Sequence, residues 1–201
     1  FDYNNIFTPI LDMRSADWFL LDNISFPLTI VFFYLYFVLY LGPRLMKNRE
    51  PFRLDAILKI YNIMQIILNV YIVKEAIGVG WLSTYRFFCE PVDWSTSKHG
   101  LKMAFLVWFF LMLKLLDMLD TVFFVLKKNN HQLTFLHVYH HAGMFAICWL
   151  ASRYNPGGHC TFLGLINGIV HIIMYGYYFF TSMWPQYKNS WWKKHITQLQ
   201  M

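Results

Sequence analysis

Long apolar stretches alternate with short polar ones along this chain. Five stretches could cross a bilayer, whose hydrocarbon core of about 30 Å needs about 20 helical residues. They run roughly from Ile24 to Leu41, Ala56 to Val73, Met103 to Leu126, Leu133 to Leu150 and Phe162 to Phe180. Several are interrupted by polar residues, and in the last three these recur at spacings of three and four, which puts them on one helix face. Such stripes suit helices that line an internal cavity better than helices bathed in lipid. The pattern predicts an all-α membrane protein, a polytopic helical bundle forming a single domain over residues 1–201.

Composition agrees. Hydrophobic residues make up 57% and charged residues 14%, against roughly 25% charged in soluble domains. Lys and Arg fall unevenly. Arg44, Lys47, Arg49 and Arg53 follow the first stretch, Lys127 and Lys128 the third, and Lys188, Lys193 and Lys194 the fifth. The opposite loops hold fewer: Arg14, Arg86, Lys98 and Arg153. The richer side is expected to be cytosolic and the N-terminus lumenal. This asymmetry accounts for most of the net charge of +6 and leaves no need for a nucleic-acid partner. Asn23-Ile24-Ser25 is an N-glycosylation sequon that would lie on the lumenal side, close to the membrane. Residues 1–22 lack the features of a signal peptide. The chain starts at Phe1 and stops just after a new segment opens at His195, so we expect at least one further span beyond Met201. The three cysteines match no zinc spacing. Cys89 and Cys160 lie in or near loops expected to be lumenal, where disulfides are permitted, and Cys89 could also pair with a cysteine outside this chain; Cys148 is expected in the fourth span.

The polar residues gather in four groups. Lys114, Asp117 and Thr121 share a face of the third stretch, with Asp120 adjacent. His137, His140 and His141 form an HxxHH cluster, whose imidazoles should project together into a low-dielectric interior. Asn167, His171, Tyr175 and Tyr178 make one stripe on the fifth stretch. Thr197 and Gln200 open the last segment. Polar and ionisable groups at membrane depth are costly and mark functional sites. The bland alternatives are histidines that merely bond to neighbouring helices, a structural Lys–Asp bridge, and tyrosines that anchor at the interface.

These groups, in this order, resemble the very-long-chain fatty acid elongase family of the endoplasmic reticulum, whose signatures are KxxExxDT, HxxHH, NxxxHxxMYxYY and TxxQxxQ. Gly42-Pro43 and Cys89-Glu90-Pro91 also look like that family. Asp117 departs from it, standing where Glu is usual. The resemblance implies a seven-span protein, about five spans complete here, with six helices enclosing a narrow acyl tunnel. It implies a 3-oxoacyl-CoA synthase that joins a long-chain acyl-CoA to malonyl-CoA, releasing CoA and carbon dioxide. No bound cofactor or metal is implied; the two thioesters are substrates. Reductases and a dehydratase of the elongation cycle are implied partners, and a homodimer is compatible with the sequence.

No cysteine lies in any motif, whereas imidazole can itself be a nucleophile. By resemblance, His140 would carry an acyl-imidazole intermediate, with His137, His141 and His171 orienting it, moving protons or polarising the malonyl carbonyl. Asp117 and Asp120 would fix imidazole tautomers. Lys127, Lys128, Lys188, Lys193 and Lys194 are candidates for the CoA phosphates, the positive-inside bias being an equal explanation, and Gln200 is a further substrate-binding candidate. A di-iron desaturase or hydroxylase also uses HxxHH boxes, but needs about eight histidine ligands; this chain has eight histidines in total, several of them in loops. A transporter with a polar midplane site is the non-enzymatic alternative, without a visible internal repeat to favour it.

Overall fold

The computed structural model describes residues 11–187 together with 192, 195 and 196, and contains no strand among them. Its long helices are α1 (Ser25–Met46) and α2 (Asp55–Trp81), α3 (Lys98–Leu126), α4 (Phe135–Tyr154) and α5 (Thr161–Met183). By length and composition α1, α2 and α5, the last counted from Gly158, are apolar enough to cross a membrane. The helices α3 and α4, 29 and 20 residues long, carry the acidic, lysine and histidine motif residues.

Each helix overlaps its expected stretch, and the ends that differ have local causes. The α2 helix runs past Val73 to Trp81, and α3 starts at Lys98 rather than Met103. Glu75 and Lys102, which interrupt the apolar pattern there, pair with each other across the two helices. Ser97 caps α3, its hydroxyl accepting from Gly100 N at 3.1 Å. Pro43 does not end α1, although it has no N–H to give the preceding turn. The helix widens to π turns over Phe37–Leu41, where Gly42 N–H reaches back to Phe37 O, and continues to Met46. Only glycine fits at position 42: a Cβ there would lie 2.7 Å from Val125 Cγ1 and 2.8 Å from Phe37 O.

The α2 helix packs along α5 and α3 along α4, while α1 lies against α3 and α4. Gly168 lets α5 approach α2 closely, since a Cβ there would meet Val73 Cγ2 at 2.9 Å. One apolar cluster, with Val38, Leu111 and Phe145 at its centre, joins α1, α3 and α4. A second, around Ile72, Met103 and Leu165, joins α2, α3 and α5.

The loops sort to two ends. At one, Phe52 N donates to Leu126 O at 3.1 Å, Lys127 Nζ to Asp55 Oδ1 at 3.0 Å and Lys128 Nζ to Lys47 O at 3.3 Å. At the other, Arg14 Nη1 donates to Asp93 O and Ser95 O, each at 2.7 Å, and His159 N to Glu90 O at 2.9 Å. The loops carrying Arg44 to Arg53 and Lys127–Lys128 thus share the first end. Cys89, Cys148 and Cys160 are all free among the described residues.

Candidate active site

The α4 helix begins where Thr134, extended at ψ 156°, caps it and accepts from His137 N at 3.2 Å. The HxxHH residues therefore occupy the first two turns, near the basic end. At about 1.5 Å per residue, His137 to His141 lie roughly 3 to 9 Å inside the helix end and Thr121 roughly 8 Å inside its own. Lys114 and His171 lie about 18 Å deep by the same rise. The motif residues thus line one half of the bundle.

A hydrogen-bonded cluster at the centre of this half is built around the buried Asp117. Lys114 Nζ donates to Asp117 Oδ2 at 2.6 Å and to Asn167 Oδ1 at 2.7 Å. Nδ1 of His171 stands 3.6 Å from Asp117 Oδ2 and, though buried, has no hydrogen-bond partner. The hydroxyl of Tyr175, wholly buried, donates to Asp120 Oδ2 at 2.6 Å and lies 3.2 Å from Asp117 Oδ1. Lys114, Asp117, Asp120, Asn167, His171 and Tyr175 thus form one cluster across α3 and α5. Tyr178 packs its ring against Tyr175, centroids 6.2 Å apart.

The histidine box meets α3 beside this cluster, at Thr121. Thr121 Oγ1 accepts from Tyr34 OH at 2.8 Å and lies 3.1 Å from His137 Nε2. With Tyr34 donating, the Thr121 proton is free to point at Nε2, which suits an imidazole protonated on Nδ1. The His137 and His141 rings stand 4.4 Å apart, and the His140 and His141 rings 5.5 Å apart. The expectation of three inward imidazoles needs correction. His141 is buried and His137 half-buried, but His140 is exposed. Residues 137 and 141 fall on the face toward α3, and 140 is turned toward its edge, because 3.6 residues make a turn.

Several members were not singled out from the sequence. From α2, Gln65 Nε2 donates to Asp117 Oδ1 at 3.0 Å and to Tyr61 OH at 2.9 Å. Tyr61 OH donates to Leu116 O at 3.1 Å. Asn69 Nδ2 donates to Gln65 O at 2.9 Å. Tyr61, Gln65 and Asn69 stand at i, i+4 and i+8, the same stripe signal that marked α5. Tyr34 on α1 was missed for want of any such neighbour.

Beyond the cluster lies an apolar cavity of about 290 Å³ between α2, α3, α4 and α5. Phe110 separates the two: Lys114 Nζ sits 4.7 Å above its ring, and the ring lines the cavity with Met103, Leu106, Met144, Cys148 and Gly164. Lys127 and Lys128 lie at the basic end, as above. Lys188, Lys193, Lys194, Thr197 and Gln200 fall outside the described residues. Among the described residues, no group of three or more His, Cys, Asp or Glu side chains is disposed to hold a metal ion.

The arrangement offers a nucleophilic or basic imidazole at an accessible edge, a lysine–carboxylate pair at depth, and an apolar chamber below. Comparison with known proteins gives the family. Residues 19–201 match the ELO family, described as the GNS1/SUR4 family. The chain is similar to a very long chain fatty acid elongase of Aedes aegypti, 44% identical over 193 residues, covering 94% of this chain and 54% of that protein. It is 44% identical over 174 residues to very long chain fatty acid elongase 1 of Homo sapiens, covering 86% and 62%. With very long chain fatty acid elongase 7 of Rattus norvegicus the identity is 42% over 192 residues, covering 94% and 68%. The chain thus spans about half to two thirds of the length of these relatives. With the family matched along nearly all of its length, and with apolar helices of spanning length, the chain belongs to the ELO (GNS1/SUR4) family of multi-pass membrane proteins.

Proposed function

We propose that the protein is the condensing enzyme of fatty acid elongation, a 3-oxoacyl-CoA synthase acting on a long-chain acyl-CoA and malonyl-CoA. One observation carries the reading: motif residues from α3, α4 and α5 converge on a polar cluster that abuts an apolar cavity. A thioester head and a hydrocarbon tail need that pairing of surfaces. The relatives' names point the same way.

In this reading a neutral nitrogen of His140 attacks the acyl thioester carbonyl. The C–S bond breaks, and CoA leaves with the imidazole proton. Malonyl-CoA then loses carbon dioxide, and its enolate carbon attacks the acyl-imidazole carbonyl. The C–N bond breaks, the departing ring nitrogen takes up a proton from water, and the neutral imidazole and the 3-oxoacyl-CoA are freed. His171, deeper and beside the Asp117–Lys114 pair, serves the malonyl half-reaction by polarising its carbonyl. The acyl tail runs past Phe110 into the apolar cavity, the inner part of a tunnel enclosed by six of seven spans. Lys127 and Lys128 meet the CoA phosphates at the basic, cytosolic end. The same reading puts the protein in the endoplasmic reticulum membrane, its N-terminus lumenal, beside the reductases and dehydratase of the cycle and compatible with a homodimer.

The test is direct. The full-length protein, given malonyl-CoA and a panel of acyl-CoAs, should release CoA and form a product two carbons longer bearing a 3-oxo group. With acyl-CoA alone it should gain one acyl mass on the 137–141 peptide. His140→Ala should abolish both outcomes, and His171→Ala should impair condensation more than adduct formation. Absence of any 3-oxo product across the panel sinks the activity. An unchanged protein mass under turnover conditions sinks the acyl-imidazole and leaves direct condensation.

A further inference from the structure

We propose that Gln65 is a positioning residue of this site. From α2, which carries none of the motifs, it orients the Asp117 carboxylate toward Lys114 and His171. The inference rests on the function proposed above.

Gln65 is 0% exposed, on the stripe of α2 that also carries Tyr61 and Asn69. Burying a primary amide is costly unless it is hydrogen-bonded. Both of its N–H groups are committed: one goes to Asp117 Oδ1 and the other to Tyr61 OH. Tyr61 in turn donates to the carbonyl of Leu116, the residue before Asp117. Helix α2 therefore holds α3 on both sides of one catalytic-cluster residue, by its carboxylate and by the preceding peptide.

The donors on Asp117 sort by oxygen. Oδ2 accepts from Lys114 and faces His171; Oδ1 faces Gln65 and Tyr175. A tyrosine has one hydroxyl proton, and that of Tyr175 goes to Asp120 over the shorter distance, 2.6 Å against 3.2 Å. Gln65 is then the donor committed to Oδ1 among the described residues. Because a carboxylate is planar, gripping Oδ1 sets where Oδ2 points. His171 Nδ1, buried and unpartnered at 3.6 Å, needs to close by only about 0.7 Å to reach an ordinary N–H···O distance. With Oδ1 released, the carboxylate is free to turn toward Lys114 alone, and His171 loses the acceptor that orients its ring. Gln65 reaches the chemistry through Asp117 and does not touch substrate.

The experiment uses full-length protein in microsomes with acyl-CoA and malonyl-CoA. Gln65→Met keeps side-chain length and packing but removes the donor. It should lower kcat at least tenfold while KM for acyl-CoA stays within twofold, and the acyl adduct formed without malonyl-CoA should persist. A kcat within twofold of the unaltered protein overturns the proposal, as does a loss confined to KM. If Gln65→Met does not fold, Gln65→Leu, which likewise removes the donor to Asp117 Oδ1, carries the test with the same expected pattern, and normal kcat there overturns it. Failure of the unaltered protein to condense overturns the underlying function instead.

Discussion

At the residue scale, the cluster rests on one cation and one carboxylate taken out of water, with Asp120 half-buried beside them. Lys114 and Asp117 are 3% and 1% exposed and meet at 2.6 Å. Removing one partner of such a pair leaves an uncompensated buried charge, at a cost of about 3–5 kcal/mol. Lys114→Met should therefore lower stability by that amount in denaturant unfolding in detergent. Lys127→Met, which breaks the exposed pair with Asp55, should change it by less than about 1 kcal/mol. Equal losses in the two variants would show that the Lys114 pair is not buried as described. That Lys114, Asp117 and Thr121 share one helix face, and Asn167, His171 and Tyr175 another, was legible from spacing, because a helix face repeats every three to four residues. Which edge of the α4 face meets α3 was not: residues 140 and 141 stand about 100° apart around the helix, and packing buries His141 while His140 stands exposed.

At the element scale, the glycines of α5 separate two roles. A Cβ on Gly164 would rest 3.8 Å from the Phe110 ring, an ordinary contact, and the residue lines the apolar cavity. Gly164→Leu should therefore fill the cavity without moving a helix. Its expected effect is a shorter longest-accepted acyl chain, read from products of a chain-length panel, at near-normal unfolding midpoint. Gly168→Leu would instead push α5 off Val73 of α2 and should lower the midpoint. An unchanged length profile in Gly164→Leu would mean that acyl chains do not enter this cavity. Helix existence was legible from apolar length. Helix ends were not, because Glu75 and Lys102 read as interruptions until their pairing across α2 and α3 was seen.

At the scale of the whole molecule, the distribution of Lys and Arg predicts a cytosolic basic end. Cys89, exposed in the opposite loop, should react with a membrane-impermeant maleimide in sealed microsomes only after the lumen is opened. A cysteine placed by Arg49→Cys should react without opening. The reverse pattern would invert the topology. Activity should also survive strong chelation, and iron near two atoms per chain in the purified protein would favour a di-iron oxygenase instead. The helix count and the grouping of loops at two ends were both readable in advance, since a bilayer sets span length and each span reverses direction.

What the sequence determined by itself was the class of protein, its long helices, and the polar stripes that three of those helices carry. Those follow from composition and helical period, which are local. The tertiary structure decided which groups meet. It brought α2, unmarked by any motif, into the site through Tyr61 and Gln65, tied Tyr34 to Thr121, and set Phe110 between Lys114 and the apolar cavity. Those depend on how helices far apart in the chain cross and rotate against one another, and the spacing of residues within a single helix carries no record of that.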